Sequence, residues 1–174
     1  MNHSSTKLPI WWLILNVASF QLCWFSLVMM GDLAVPWVIA WFIGHWSLSP
    51  TPKADRNLMV IFLAIGLVSE LIHFHSGVLQ LPNHSGPLPP LWLLCLWPLF
   101  ATMLLHSLRW LLAKPYLGAV LAAAGGWISY RAGAVIAGGE LVFPLSLMIA
   151  FEWAVIFVVA CRYLVPLALP RVSR

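Results

Sequence analysis

Glu70 and His73 stand three residues apart inside an apolar run, a spacing that puts both side chains on one face of a helix. A carboxylate and an imidazole so placed can act as base and orienter, or offer two ligands to a metal ion. A metal needs at least a third ligand, and His75 projects from a different face, so the sequence predicts neither a metal nor a cofactor here. Ser69 also lies one turn from His73. Arg131 falls at matching depth in another apolar run, where its guanidinium would hold Glu70 ionised. Glu70, His73 and Arg131 are therefore the candidate catalytic set. Their bland alternative is a buried ion pair that locks two helices together.

Other polar residues inside apolar runs are candidates for binding a substrate, because such residues are expensive in a membrane. At about 1.5 Å of rise per residue, Gln21, His45 and Glu152 fall near mid-depth. Asn16 and His106 fall towards the inner side, with Arg109 at the boundary. Glu152 must be protonated, paired or turned to a polar cavity, and His45 and Gln21 are its expected neighbours. A proton relay and a neutral, hydrogen-bonded acid both satisfy that requirement. His106 and Arg109, close to Ser107 and Thr102, would suit a lipid phosphate; ordinary snorkelling of Arg109 to the interface is the simpler reading.

Six apolar runs must position these groups: 10–30, 34–48, 58–79, 91–112, 117–137 and 141–164. A helix needs about 20 apolar residues to cross a hydrocarbon layer of roughly 30 Å, and all but the second run have that length. The second crosses only with flanking residues or local thinning. Eight of the nine Lys and Arg residues lie before the first run, in alternate gaps, or at the end of the last, while Gly31–Leu33, Gln80–Pro90 and Gly138–Glu140 carry none. The positive-inside rule then makes both termini cytoplasmic. The predicted fold is an all-α membrane protein, one domain over 1–174, built as a bundle of six transmembrane helices with both termini cytoplasmic.

Composition agrees: 62% of residues are hydrophobic and 8% charged, with a mean hydropathy of +0.94, which excludes an ordinary soluble domain. The pI near 9.3 reflects basic residues dispersed along a membrane rim, so membrane lipids and not nucleic acid are the expected contacts. The first run is too long for a secretory signal and lacks a cleavage site. Cys23, Cys95 and Cys161 lie in three different runs without a C-x-x-C and read as packing residues. The segment SPTPKADRN, 49–57, predicts a turn with Asp55 or Asn57 capping the next helix. Trp11, Trp12, Trp37, Trp92 and Trp110 are expected at interfaces, and Trp97, Trp127 and Trp153 between helices. Gly118, Ala122, Gly125, Ser129, Gly133 and Ala137 repeat at one-turn intervals, a face for close helix contact within the chain or with a second copy.

The run LWPLFATMLLHSLRWL from Leu91 onward, GGWISYRAGA from Gly125 and FQLCWF near the start together resemble a family of small polytopic inner-membrane proteins of Gram-negative bacteria with no assigned function. The resemblance covers nearly the whole chain. It departs where Glu70 stands in place of a usual Asp and Leu105 in place of an Asn. Members are similar in lying beside fatty-acid-modifying enzymes of the cyclopropane-synthase type, which implies a role in lipid metabolism and a soluble lipid enzyme as partner. Three functions follow as expectations: an accessory to lipid modification, an intramembrane lipid-modifying enzyme, or a small transporter. The last lacks the internal repeat such proteins carry.

Overall fold

The computed structural model describes residues 8–82 and 86–169; the chain termini, on which the orientation partly rests, lie outside the described residues. Helix α1, Ile10–Met30, ends at Gly31, whose φ of 60° needs no Cβ, and a 3₁₀ turn over Gly31–Ala34 leads into α2, Val35–Leu48. Helix α3, Pro52–His75, starts with proline in its first turn, where the missing N–H costs nothing. It closes before Gly77 at φ 73°. Helix α4 is Leu91–Leu104, α5 the short Arg109–Leu112, and α6 Pro115–Ile136. Helix α7, Leu147–Val159, continues through a π turn at Ala160–Leu164 into α8, Val165–Ala168. Strands β1, Leu79–Gln80, and β2, Glu140–Leu141, form an antiparallel ladder that pairs Leu79 with Leu141.

Among the described residues, four helical segments are long and apolar enough to cross a membrane: Ile10–Leu48 taken through its turn, Pro52–His75, Pro115–Ile136 and Leu147–Ala168. Such a chain is a multi-pass, predominantly helical membrane protein. The boundaries differ from the sequence reading at both ends of the third run and in the fourth and last; α3 ends at His75, because Leu79 pairs in β1. Helix α3 begins six residues before Leu58, because a polar first turn carrying Asp55 folds inward instead of remaining loop. The fourth run breaks after Leu104 into hydrogen-bonded turns before α5. The last helix starts at Leu147 and not at 141, because residues 140–141 pair with β1 and Pro144 follows.

Chain direction alternates along the bundle. Trp12, near the start of α1, stacks on His45 near the end of α2 at 5.5 Å between ring centroids. His106, just past α4, reaches Asp55 in the first turn of α3. Those four helix ends share one end of the molecule. At the opposite end Asp32 Oδ1 accepts the Trp92 backbone N–H at 2.9 Å, capping α4, and the β1–β2 ladder joins the exits of α3 and α6. Helices α6 and α7 pack as a hairpin, α3 packs on α4, and α4 on α1.

Packing rests on small residues facing rings, as expected where lipid is as apolar as the core. Gly66 lies against the Trp97 indole, Gly118 against Phe157 and Gly126 against Trp153. Trp97 and Trp153 stack at 5.0 Å between centroids. Trp12 and Trp92 stand in the first turns of α1 and α4 but are buried against the protein, Trp12 with its indole N–H given to His106. Trp11, Trp37 and Trp110 stay exposed.

Candidate functional site

The residue that organises the larger polar network is Glu70, fully buried on α3. Its Oε1 accepts the Trp97 indole N–H at 2.9 Å and the Tyr130 hydroxyl, while its Oε2 lies 3.4 Å from His73 Nδ1. Gly66, one turn before Glu70, lets Trp97 lie on the helix surface at the height that delivers the indole N–H. The other imidazole nitrogen, His73 Nε2, stands 2.7 Å from Glu152 Oε2, and the Ser69 hydroxyl donates to Glu152 Oε1. His73 is thus bracketed by two carboxylates from different helices. An imidazolium offers each of them an N–H, whereas a neutral ring offers only one, so a proton shared along Glu70, His73 and Glu152 changes which contact is made. Glu152 is the outlet of this chain: its side chain is 23% exposed and that of His73 is 0%.

Glu70 and His73 lie side by side, as their spacing implies, but their surroundings are not those expected from the sequence. Arg131 makes no ion pair among the described residues. Its side chain is exposed and its guanidinium lies over the Trp127 ring at 5.7 Å, so the expected Glu70–Arg131 pair does not form. The preceding residue, Tyr130, takes that place, because consecutive helical residues project about 100° apart. Glu152 joins Glu70 and His73 instead of His45 and Gln21. Trp97 and Tyr130 escape the sequence reading as site residues; the usable signal is a Tyr at the depth of Glu70.

His45 and His106 meet at the opposite end, around a residue that the sequence marks only as a helix cap. Asp55 is fully buried and takes His106 Nε2 at 3.2 and 3.1 Å on its two oxygens, the Ser49 hydroxyl, and His45 Nε2 at 3.4 Å. The last approach is an ion-pair contact without hydrogen-bond alignment, and among the described residues neither ring nitrogen of His45 finds a hydrogen-bond partner. Arg109 is exposed and apart from this cluster. Asn16 lies nearby, donating to the Thr102 carbonyl at 3.0 Å and accepting the Ser107 hydroxyl at 2.7 Å.

The ligand-capable atoms of His45, Asp55 and His106 lie within 4.8 Å of one another, close enough for one cation. The hydrogen bonding disfavours that use. The Trp12 indole, which can only donate, gives its N–H to His106 Nδ1 at 3.0 Å, so in a neutral ring the proton sits on Nε2 and points at Asp55. A metal at Nε2 needs that proton gone and an N–H on Nδ1, where the indole N–H already points. The cluster fits a buried clamp that joins α1, α2, α3 and α4.

Between α1, α4 and α6 runs an apolar groove of about 550 Å³. Along α6 it extends from Gly118 to Ile136, about 27 Å at 1.5 Å per residue, close to the full hydrocarbon depth. Trp97 and Tyr130, the two donors to Oε1 of Glu70, form part of its wall. Gly118, Gly125, Gly126, Ser129 and Gly133 all line the groove; Gly118 and Gly126 also seat rings of α7, whereas a Cβ added at Gly125 would meet nothing within 4 Å.

The chain belongs to the family described as "Protein of unknown function (DUF2878)", whose model matches residues 13–159. Neither a curated protein nor a solved structure matches it.

Proposed function

We propose that this member of a family of unknown function is a lipid-handling protein of the bacterial inner membrane. It holds one acyl chain in the groove between α1, α4 and α6 and presents the chain to the Glu70–His73–Glu152 network. The observation that carries the reading is the shared wall: Trp97 and Tyr130 line an apolar groove nearly as long as the bilayer is thick, and both donate to the buried carboxylate of Glu70. An apolar cavity with a few convergent polar groups is the usual form of a small-ligand site.

In this reading the chain crosses the membrane six times with both termini cytoplasmic. Lys53, Arg56, Arg109 and Lys114 lie at the end that holds Asp55 and His106, which supports that orientation. The short helices α2 and α4 then cross where the bilayer thins or where turns complete the depth. The network supplies an acid and a base within one proton relay, so the protein is an intramembrane lipid-modifying enzyme or an accessory that hands lipid to a soluble fatty-acid-modifying enzyme. A second copy packing on α6 through Gly125, Ser129, Gly133 and Ala137 would occupy the same groove and is the competing reading of that face.

Filling the groove tests the proposal. Gly125→Leu places a side chain in open space, so the protein should accumulate normally while losing the lipid that co-purifies with the wild type, read by mass spectrometry of the detergent-purified protein. Unchanged lipid content would sink the groove reading. Glu70→Gln separates the two roles: an enzyme keeps its bound lipid and loses a product from the cellular lipid profile, whereas an accessory leaves the profile intact.

A further inference from the structure

The Glu70–His73–Glu152 network has two ends, and they open in different directions. Trp97 and Tyr130, the donors to Glu70, stand on the groove wall. Ser69, Glu70 and His73 lie behind that wall: among the described residues α3 contributes nothing to the groove lining. Glu152 is off it as well, although the next residue, Trp153, lines it, because consecutive helical residues project about 100° apart. The 23% of the Glu152 side chain that remains exposed is therefore reached from outside the groove.

Depth fixes the side from which that end is reached. Glu152 lies about 8 Å along α7 from its start at Leu147, and His73 lies in the last turn of α3. Both of these helix ends connect to the β1–β2 ladder. An ionisable side chain so close to a helix end reaches the interface. Towards the other side the network stops. Helix α3 carries no polar side chain from Leu58 to Val68, and Glu70 stands about 22 Å along it from Asp55. Among the described residues no hydrogen bond links Glu70, His73 or Glu152 to the cluster around Asp55.

We infer that the network is a proton port with a single mouth: Glu152 exchanges its proton with the aqueous phase on the β1–β2 side, and the path ends at Glu70 behind the groove wall. The groups that face Glu152 are His73 and Ser69 on α3, with Glu70 on the far side of the imidazole and Tyr130 of α6 bound to Glu70. His73 takes a proton at Nε2 from Glu152 and gives the one on Nδ1 to Glu70 Oε2, so a proton moves inward while both ring nitrogens keep their partners. A groove filled by lipid is thus resupplied with protons from behind its wall, without opening to water, and no proton crosses the membrane. This deepens the relay described under the proposed function and rests on it, but not on the identity of the lipid.

The test uses dicyclohexylcarbodiimide, which adds covalently to protonated carboxyl groups within membranes, with peptide mass spectrometry to locate the product. The full-length protein is labelled in sealed vesicles whose inner and outer pH are set separately. A Gly86→Cys variant stripped of its native cysteines, treated with an impermeant thiol reagent, reports which vesicle face carries the ladder. Glu152 should be labelled and Glu70 should not. The rate should fall by up to about tenfold per unit rise of pH on the ladder side and ignore the pH of the opposite side. Glu152→Gln should leave the network unlabelled while eluting as the wild type does. A rate that follows the opposite side overturns the single mouth, as does label on Glu70 in either protein or no label on Glu152 at any pH. Lipid content is read separately with Gly125→Leu, so the groove reading and this inference fail by different results.

Discussion

Replacing His73 by alanine should be more harmful than removing the carboxylate it contacts, and removing both should be less harmful than the sum. Among the described residues, His73 is the only group placed between Glu70 Oε2 and Glu152 Oε2, at 3.4 and 2.7 Å. Alanine leaves Glu70, fully buried, with the Trp97 and Tyr130 donors on one oxygen and none on the other, facing a second carboxylate across a void. Breaking a buried charged pair by deleting one partner costs roughly 3 to 5 kcal/mol, and a chain of this size loses about 2–4 °C of Tm per kcal/mol. His73→Ala should therefore lower the melting temperature in detergent by about 6 to 20 °C. Glu152→Gln removes one charge-assisted contact from a partly exposed side chain and should cost only about 1 to 2 kcal/mol. In the double variant the like-charge contact is gone, so part of the loss returns, a coupling of about 1 to 3 kcal/mol. Thermal unfolding followed by the fraction remaining monodisperse on size exclusion measures all four proteins. Strictly additive losses would refute the bracketing of His73.

Neighbouring glycines should respond oppositely to alanine. Gly126→Ala drives a Cβ to 2.5 Å from the Trp153 ring and should cost about 1 to 3 kcal/mol by overpacking, while Gly125→Ala meets no atom and should gain up to about 1 kcal/mol from helix propensity; melting temperatures of opposite sign relative to wild type are the check. Arg131→Gln should change stability by less than about 1 kcal/mol, since the guanidinium is exposed and held only over Trp127; a loss as large as that of His73→Ala would show an ion pair after all. For topology, a cysteine at Gly86 in a chain stripped of its native cysteines should react with an impermeant thiol reagent in intact cells, whereas one at Lys53 should not, and the reverse pattern would invert the proposed orientation.

Helix positions are legible because apolar length alone marks a membrane crossing, and the i, i+3 spacing by itself puts Glu70 and His73 on one face. Depth is less secure. Glu152 counts as central if the last run begins at 141, but α7 begins at Leu147, which brings Glu152 to the second turn and level with His73. The six residues between are mostly apolar and give no hint that the first of them, Leu141, pairs with β1. Azimuth is not legible at all. Tyr130 and Arg131 share a depth, and only the packing of α6 on α7 decides that the phenol points to Glu70 while the guanidinium points out. Asp55 is hidden for a different reason: a carboxylate in a first turn satisfies the expectation of a cap, and nothing local announces that two histidines from other elements converge on it.

The contact of Gly66 with Trp97 has a meaning for relatives of this chain as well as for its packing. A Cβ at position 66 would overlap the indole, and the indole is what brings an N–H to Glu70 one turn further along. The two positions are therefore coupled sterically: a larger residue at 66 is compatible with this packing only if the indole at 97 moves or is replaced, and with it goes one donor to the carboxylate. In this chain a glycine, two further residues, then Ser-Glu-x-x-His thus spell out on one helix face the seat of the distant tryptophan and three members of the network it completes.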